Sequence, residues 1–129
     1  MESKMKILVV DDEVDVRALF EQRFRKEIRE QEIVFAFAHS GEEALTYLRG
    51  LNHESVLILS DINMPGMSGL ELLKTIKDNF EKPPPVVMMI TAFGDDENYN
   101  RAMKLGADDF LTKPLNFVHL REKLKLVAS

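Results

Sequence analysis

A chain of 129 residues, 45% hydrophobic and 30% charged, has the composition of a soluble globular domain and argues against disorder. Its net charge of −5 leaves no basic footprint, which disfavours direct nucleic-acid binding, and the lack of cysteine excludes a disulfide framework and a thiolate metal site. The longest apolar runs, about five residues, fall far short of the ~18 that span a bilayer, and no long apolar stretch follows Met1–Lys6, so a cytoplasmic protein without membrane association is expected, with residues 1–129 as one domain.

Along the chain the hydrophobic period alternates. Ile7-Leu8-Val9-Val10 is a short β-branched run that reads as a strand buried on both faces. Val16, Leu19, Phe20, Phe24 and Ile28 follow at helical spacing and predict one amphipathic helix, with Asp12 as a plausible N-cap. Ile33–Ala38 is the second strand. Ser40-Gly41-Glu42-Glu43 matches a capping box opening a helix with Ala44, Leu45 and Leu48 inward, and Gly50 is its expected stop. The third strand, Val56–Ser60, runs into Asp61 and the turn-forming Asn63-Met64-Pro65-Gly66-Met67. A second capping box, Ser68-Gly69-Leu70-Glu71, opens a helix to about Asn79, and Lys82-Pro83-Pro84-Pro85 is a stiff connector. Val86–Ile90 is the fourth strand. Asp95 or Asp96 caps a helix carrying Tyr99, Ala102, Met103 and Leu105, which Gly106 ends. Asp109–Thr112 is a short fifth strand, and Asn116 caps a last helix with Phe117, Leu120, Leu124 and Val127 on one face.

Five strand–helix pairs joined by short connections predict an α/β fold, a doubly wound parallel sheet with helices on both faces. Ligands of such sheets bind beyond the carboxyl ends of the strands. Asp11-Asp12, Asp61, Thr91 and Lys113 each close an apolar run, at the carboxyl ends of strands one, three, four and five, so the topology gathers them into one cleft. Three carboxylates in one pocket repel, and a divalent cation is the natural neutraliser. Oxygen donors without imidazole or thiolate suit Mg²⁺, which keeps several waters. Thr91 supplies a neutral hydroxyl and Lys113 a mobile ammonium, and together with the carboxylates they describe a phosphoryl-transfer site whose nucleophile is a carboxylate. The three histidines, His39, His53 and His119, show no ligand spacing and read as surface or structural.

Val9-Val10-Asp11-Asp12-Glu13, the run Ser60-Asp61-Ile62-Asn63-Met64-Pro65-Gly66-Met67-Ser68-Gly69, Ile90-Thr91-Ala92 and Thr112-Lys113-Pro114 resemble, in order and spacing, the signature of the response-regulator receiver domain, the CheY-like module of two-component signalling. The resemblance runs from about Lys4 to Val127. It implies a flavodoxin-like, five-stranded sheet of order 2-1-3-4-5 with five helices. It also implies that Asp61 accepts a phosphoryl group from a phosphohistidine on a sensor histidine kinase or histidine phosphotransfer protein. Asp12, the Asp61 carboxylate and the Asn63 carbonyl would ligate Mg²⁺, with Asp11 helping through water. Thr91 and Lys113 would hold phosphoryl oxygens, and Lys113-Pro114 would be a cis peptide. Phe110 stands where the family often carries a switch tyrosine that follows Thr91, and Asn63 and Phe93 stand where the family tunes hydrolysis of the acyl phosphate. Phosphorylation-dependent pairing of two copies is a further expectation.

Three rival readings share parts of this pattern. A pure interaction module would keep the fold without phosphorylation, but here every chemical position is occupied. A Mg²⁺-dependent phosphatase working through an aspartyl phosphate would carry a second Asp two residues after the nucleophile, where this chain has Asn63. A flavodoxin-like cofactor binder needs a phosphate-cradling loop after strand one, and Asp11-Asp12-Glu13 would repel phosphate there. The expectation is therefore a switch module rather than a turnover enzyme.

Overall fold

The computed structural model describes residues 5–50, 56–79, 86–92 and 94–128. The proline connector, His53 and Phe93 lie outside the described residues. Strands β1 (Met5–Val10), β2 (Ile33–Ala38), β3 (Leu57–Asp61), β4 (Val86–Ala92) and β5 (Asp109–Lys113) form one sheet, all parallel, in the order β2-β1-β3-β4-β5. Every adjacent pair needs a crossover, so helices cover both faces.

The period of two in the strands separates two cores. Leu8, Val10, Ile58, Val87 and Met89 face one way, against α3 (Gly41–Arg49), α4 (Gly69–Asn79) and Ala102 of α5 (Asp96–Lys104). Ile7, Val9, Leu59, Met88 and Ile90 face the other, against Phe20 of α1 (Asp15–Arg23) and Leu120 and Leu124 of α6 (Phe117–Ala128). The inner strands are therefore apolar on both sides, as their unbroken runs require. Among the described residues, no helix is long and apolar enough to cross a membrane.

The expected first helix is two segments, so the described residues form six helices rather than five. After α1 the chain turns at Phe24 (φ −112°, ψ 25°) and resumes as α2 (Arg25–Arg29). The Phe24 amide still donates to Phe20 and the Ile28 amide to Phe24, so the direction carries across the break. Two long-range demands coincide there. The Phe24 ring is fully buried among Phe20, Phe35 and Phe117 at centroid distances of 6.0, 5.3 and 6.0 Å, and the Arg121 guanidinium donates to the Arg23 carbonyl, competing for an acceptor of the helical ladder. Leu19, expected inside, lies at the edge of the apolar stripe and is 39% exposed. Nor does Asp12 cap α1: the N-cap is Val14, without a side-chain bond.

The other caps form as expected. Ser40 accepts from the Glu43 amide (3.1 Å), Ser68 from Glu71 (3.2 Å), Asp95 from Asn98 (3.3 Å) and Asn116 from His119 (3.1 Å). Gly106 follows α5 at φ +96°, a left-handed conformation that a side chain would strain.

Arg121 also pairs its Nε with Glu27 at 2.8 Å, tying α6 to α2. The Arg121 hydrogen bond, against an opposing cost of burial, holds the Glu27 carboxyl below the usual glutamate value of 4.5. A depressed carboxylate contributes stability that is present above the unfolded value and disappears as the pH falls through the folded one. Glu27→Gln should therefore cost about 1 kcal/mol at neutral pH. Urea titrations of both proteins at descending pH check this, and the difference should close below pH 4.5.

Candidate functional site

The site forms where four strands end. The sheet register pairs Val10 with Ser60 and Asp61 with Ile90, and the Ile62 amide donates to the Ile90 carbonyl at 3.1 Å, which sets Asp61 beside Thr91. Asp11, Asp12 and Asp61 offer carboxylate oxygens that all lie within 4.8 Å of one another. Asp61 is only 4% exposed and Asp11 is also buried, whereas Asp12 faces solvent. Lys113, at the end of β5 and before a cis peptide to Pro114, donates from Nζ to Asp61 Oδ2 at 2.7 Å. The sequence reading of Asp11, Asp12, Asp61, Thr91 and Lys113 as one cleft is thus the arrangement that the fold produces.

Each buried carboxylate has local support. Asp61 Oδ1 accepts the Asn63 amide at 3.2 Å, and Asp11 Oδ1 accepts the Glu13 amide at 2.9 Å. Three carboxylates against one ammonium nevertheless leave a pocket with two uncompensated negative charges. Burial is the main force raising the Asp11 carboxyl, with the neighbouring Asp61 charge adding to it and the Glu13 amide and Lys113 opposing. Partial burial pulls the Lys113 ammonium down, but the Asp61 hydrogen bond and the charges of Asp61, Asp11 and Glu13 outweigh it, so the group ends above the ordinary lysine value and stays protonated.

Thr91 is almost fully buried, and its Oγ1 is a buried side-chain oxygen with no hydrogen-bond partner among the described residues. Such an orphan costs free energy unless a ligand or a moving group meets it. A surplus of negative charge on hard oxygens, with no nitrogen or sulfur donor among them, can hold a hard divalent cation. The pocket therefore brings together buried carboxylates, a paired ammonium and a hydroxyl without a partner among the described residues.

Asn63 is exposed, adjoining the cleft. Phe110 is half-buried on β5 and packs at a tilt against Tyr99 of α5 with ring centroids 4.4 Å apart. Two further residues support this arrangement. His39, at the end of β2, has its Nδ1 3.1 Å from the Asp11 carbonyl oxygen and so buttresses the backbone of the acidic pair. Gly69 is more than a turn former. A Cβ there would stand 2.1 Å from the Asp61 carbonyl oxygen, so only glycine lets α4 seat on the strand end that carries Asp61. A Ser-Gly step opening a helix just after a run-ending Asp was the available signal.

Comparison with known proteins agrees with this geometry. The response regulator receiver domain family profile matches residues 7–125. The response regulator RppA of a Synechocystis species is 34% identical over 121 residues, covering 94% of this chain and 49% of that protein. The chain spans about half the length of the curated relatives it matches. A response regulator receiver protein from Pseudomonas putida superposes with a TM-score of 0.81 at 27% identity, covering 97% of this chain and 98% of that one. A similar fold (TM-score 0.79, 27% identity, 95% and 88% covered) occurs in the Saccharomyces cerevisiae co-crystal structure of the histidine phosphotransfer protein Ypd1 with the receiver domain of its downstream response regulator Ssk1.

Proposed function

The chain belongs to the response regulator receiver domain family of two-component signalling, and from that premise we propose that Asp61 is its phosphoacceptor and that phosphorylation switches an output surface. The observation that carries this reading is the buried Asp61 carboxylate, paired with Lys113 beside a Thr91 hydroxyl that has no partner among the described residues. The donor is a phosphohistidine on a sensor histidine kinase or a histidine phosphotransfer protein, the class of partner bound by the Ssk1 receiver domain. An Asp61 carboxylate oxygen attacks phosphorus, the P–N bond breaks, and the imidazole leaves with the electron pair and takes up a proton. Lys113 moves from Asp61 Oδ2 to a phosphoryl oxygen, and Thr91 turns its hydroxyl to another. The reaction is then positioning and charge neutralisation. Mg²⁺ would be held by Asp12, Asp61 and the Asn63 carbonyl, with Asp11 helping through water, and would supply charge neutralisation for the incoming group. Asn63 and Phe93 set the lifetime of the product. The whole is a cytoplasmic switch that catalyses only its own phosphorylation and dephosphorylation rather than a turnover enzyme.

Asp12→Ala tests the metal assignment. Mg²⁺ affinity, read by the concentration dependence of phosphorylation, should fall at least about tenfold. Because Asp12 caps no helix, the metal-free melting temperature should stay level or rise as repulsion is relieved. A clear drop in that temperature would show a structural role instead.

The output path runs through Phe110. A phosphoryl group adds about two negative charges to the cleft, drawing Thr91 and Lys113 inward. Thr91 leads toward α5, Lys113 closes β5, and Phe110 packs against Tyr99 between them, so both movements load the face of α5, β5 and α6. On this face Tyr99 and Met103, expected inside, are 40% and 52% exposed, which suits docking or pairing of two copies in the phosphorylated state. Phe110→Ala should retain phosphorylation and lose at least half of the beryllofluoride-induced change in amide exchange at Tyr99–Lys104. An unchanged response would remove Phe110 from the path.

A further inference from the structure

Between α4 and α5 runs an open groove of about 580 Å³ whose upper end reaches Asn63 at the rim of the site. Its charge is opposite to that of the whole molecule. Lys74 stands on one wall and Arg101 and Lys104, one helical turn apart, on the other, against the single carboxylate of Glu71, while the chain as a whole carries −5. Arg101 and Lys104 have no carboxylate partner among the described residues. Lys74 pairs with Asp78 at 2.9 Å, but both side chains are more than half exposed, so that pair exchanges readily. Glu71 is engaged by the Ser68 hydroxyl at the start of α4. Ile62, Leu70 and Leu105 also line the groove and make it partly apolar.

We propose that this groove binds an acidic peptide segment of a protein partner, distinct from the phosphodonor. The cations are distributed along both walls rather than gathered at one point, which matches carboxylates spaced along an extended chain better than a single phosphate. The apolar lining takes interspersed Leu or Val side chains, as peptide grooves do. A nucleic acid fits less well, because its dense charge would meet the negative field of the rest of the molecule. None of the three cations belongs to the phosphoryl site, so occupancy of the groove does not require phosphorylation of Asp61.

The experiment is a titration of the ¹⁵N-labelled full chain with a short Glu-rich peptide carrying interspersed Leu, followed by NMR. Saturable shifts should centre on Lys74, Asn98, Arg101 and Lys104 and weaken with added salt. The double variant Arg101→Glu/Lys104→Glu should lose affinity by about tenfold or more, while labelling at Asp61 is kept. Glu71→Gln, which removes the opposing charge, should bind more tightly and guards against misfolding of the double variant. Shifts centred elsewhere, equal affinity for both charge variants and the wild type, or an oligonucleotide binding as well as the peptide would each overturn the assignment.

Discussion

Asp61→Asn should abolish phosphorylation by acetyl phosphate or phosphoramidate, a loss of at least about 10³-fold, or more than about 4 kcal/mol in the barrier. The substitution keeps the shape of the side chain and removes its nucleophilic charge. Its other effects are small by comparison. Lys113, which is 42% exposed, regains water when its 2.7 Å partner is neutralised, and the acidic cluster loses one of its mutually repelling charges. Metal-free stability should therefore hold or rise, so lost labelling cannot be blamed on lost folding. Acid-labile phosphate, measured after incubation with Mg²⁺, separates the outcomes: wild type takes up a single equivalent and the variant none. Full labelling in Asp61→Asn would place the acceptor elsewhere. Release of phosphate over many turnovers from a phosphate monoester, which is no donor for a switch module, would point to the phosphatase reading.

Gly69→Ala should destabilise the fold by about 3 kcal/mol, at the upper end of what overpacking a tight interior costs. Helix propensity alone predicts the opposite sign, since alanine is favoured over glycine by about 1 kcal/mol inside a helix. Packing decides the matter, because the added methyl would lie 2.1 Å from the Asp61 carbonyl oxygen, 2.7 Å from Ile62 Cα and 2.9 Å from the Asp61 carbonyl carbon, all of them backbone. The Gly69 amide donates to the Ile62 carbonyl at 2.8 Å, so backing α4 away would break that bond and disturb the turn behind Asp61. Phosphorylation should slow as well. Urea denaturation gives the stability directly, and an unchanged or raised midpoint would show that α4 can retreat at no cost.

Much of the fold and the site could be read from the chain because the two signals reinforce each other. A strand buried on both faces is written as an unbroken apolar run, and a carboxylate at its end interrupts that run visibly, as at Asp11 and Asp61. Thr91 and Lys113 were legible only in combination, since a strand-ending threonine or lysine alone is ordinary. The misses have a common cause in contacts between distant segments. The break at Phe24 depends on Arg121, far along the chain, and on rings from β2 and α6; the local spacing of Val16, Phe20, Phe24 and Ile28 is compatible with one continuous helix. Tyr99 and Met103 share a helix with buried Ala102 but lie exposed near the β5 edge of the sheet, which local spacing does not reveal. The support of Asp11 by His39 needs β1 and β2 side by side, and the basic groove needs α4 against α5. Neither juxtaposition leaves a mark in local sequence.

The most direct test of the central claim is to locate the phosphoryl group itself. The wild-type chain is incubated with phosphoramidate, with Mg²⁺ or with a chelator, then reduced with borohydride, which converts an aspartyl phosphate to homoserine, and mapped by peptide mass spectrometry. The phosphoacceptor assignment predicts homoserine at Asp61 alone, and only in the sample with Mg²⁺. Homoserine at Asp11 or Asp12, or equal conversion at Asp61 in the chelated sample, would contradict it.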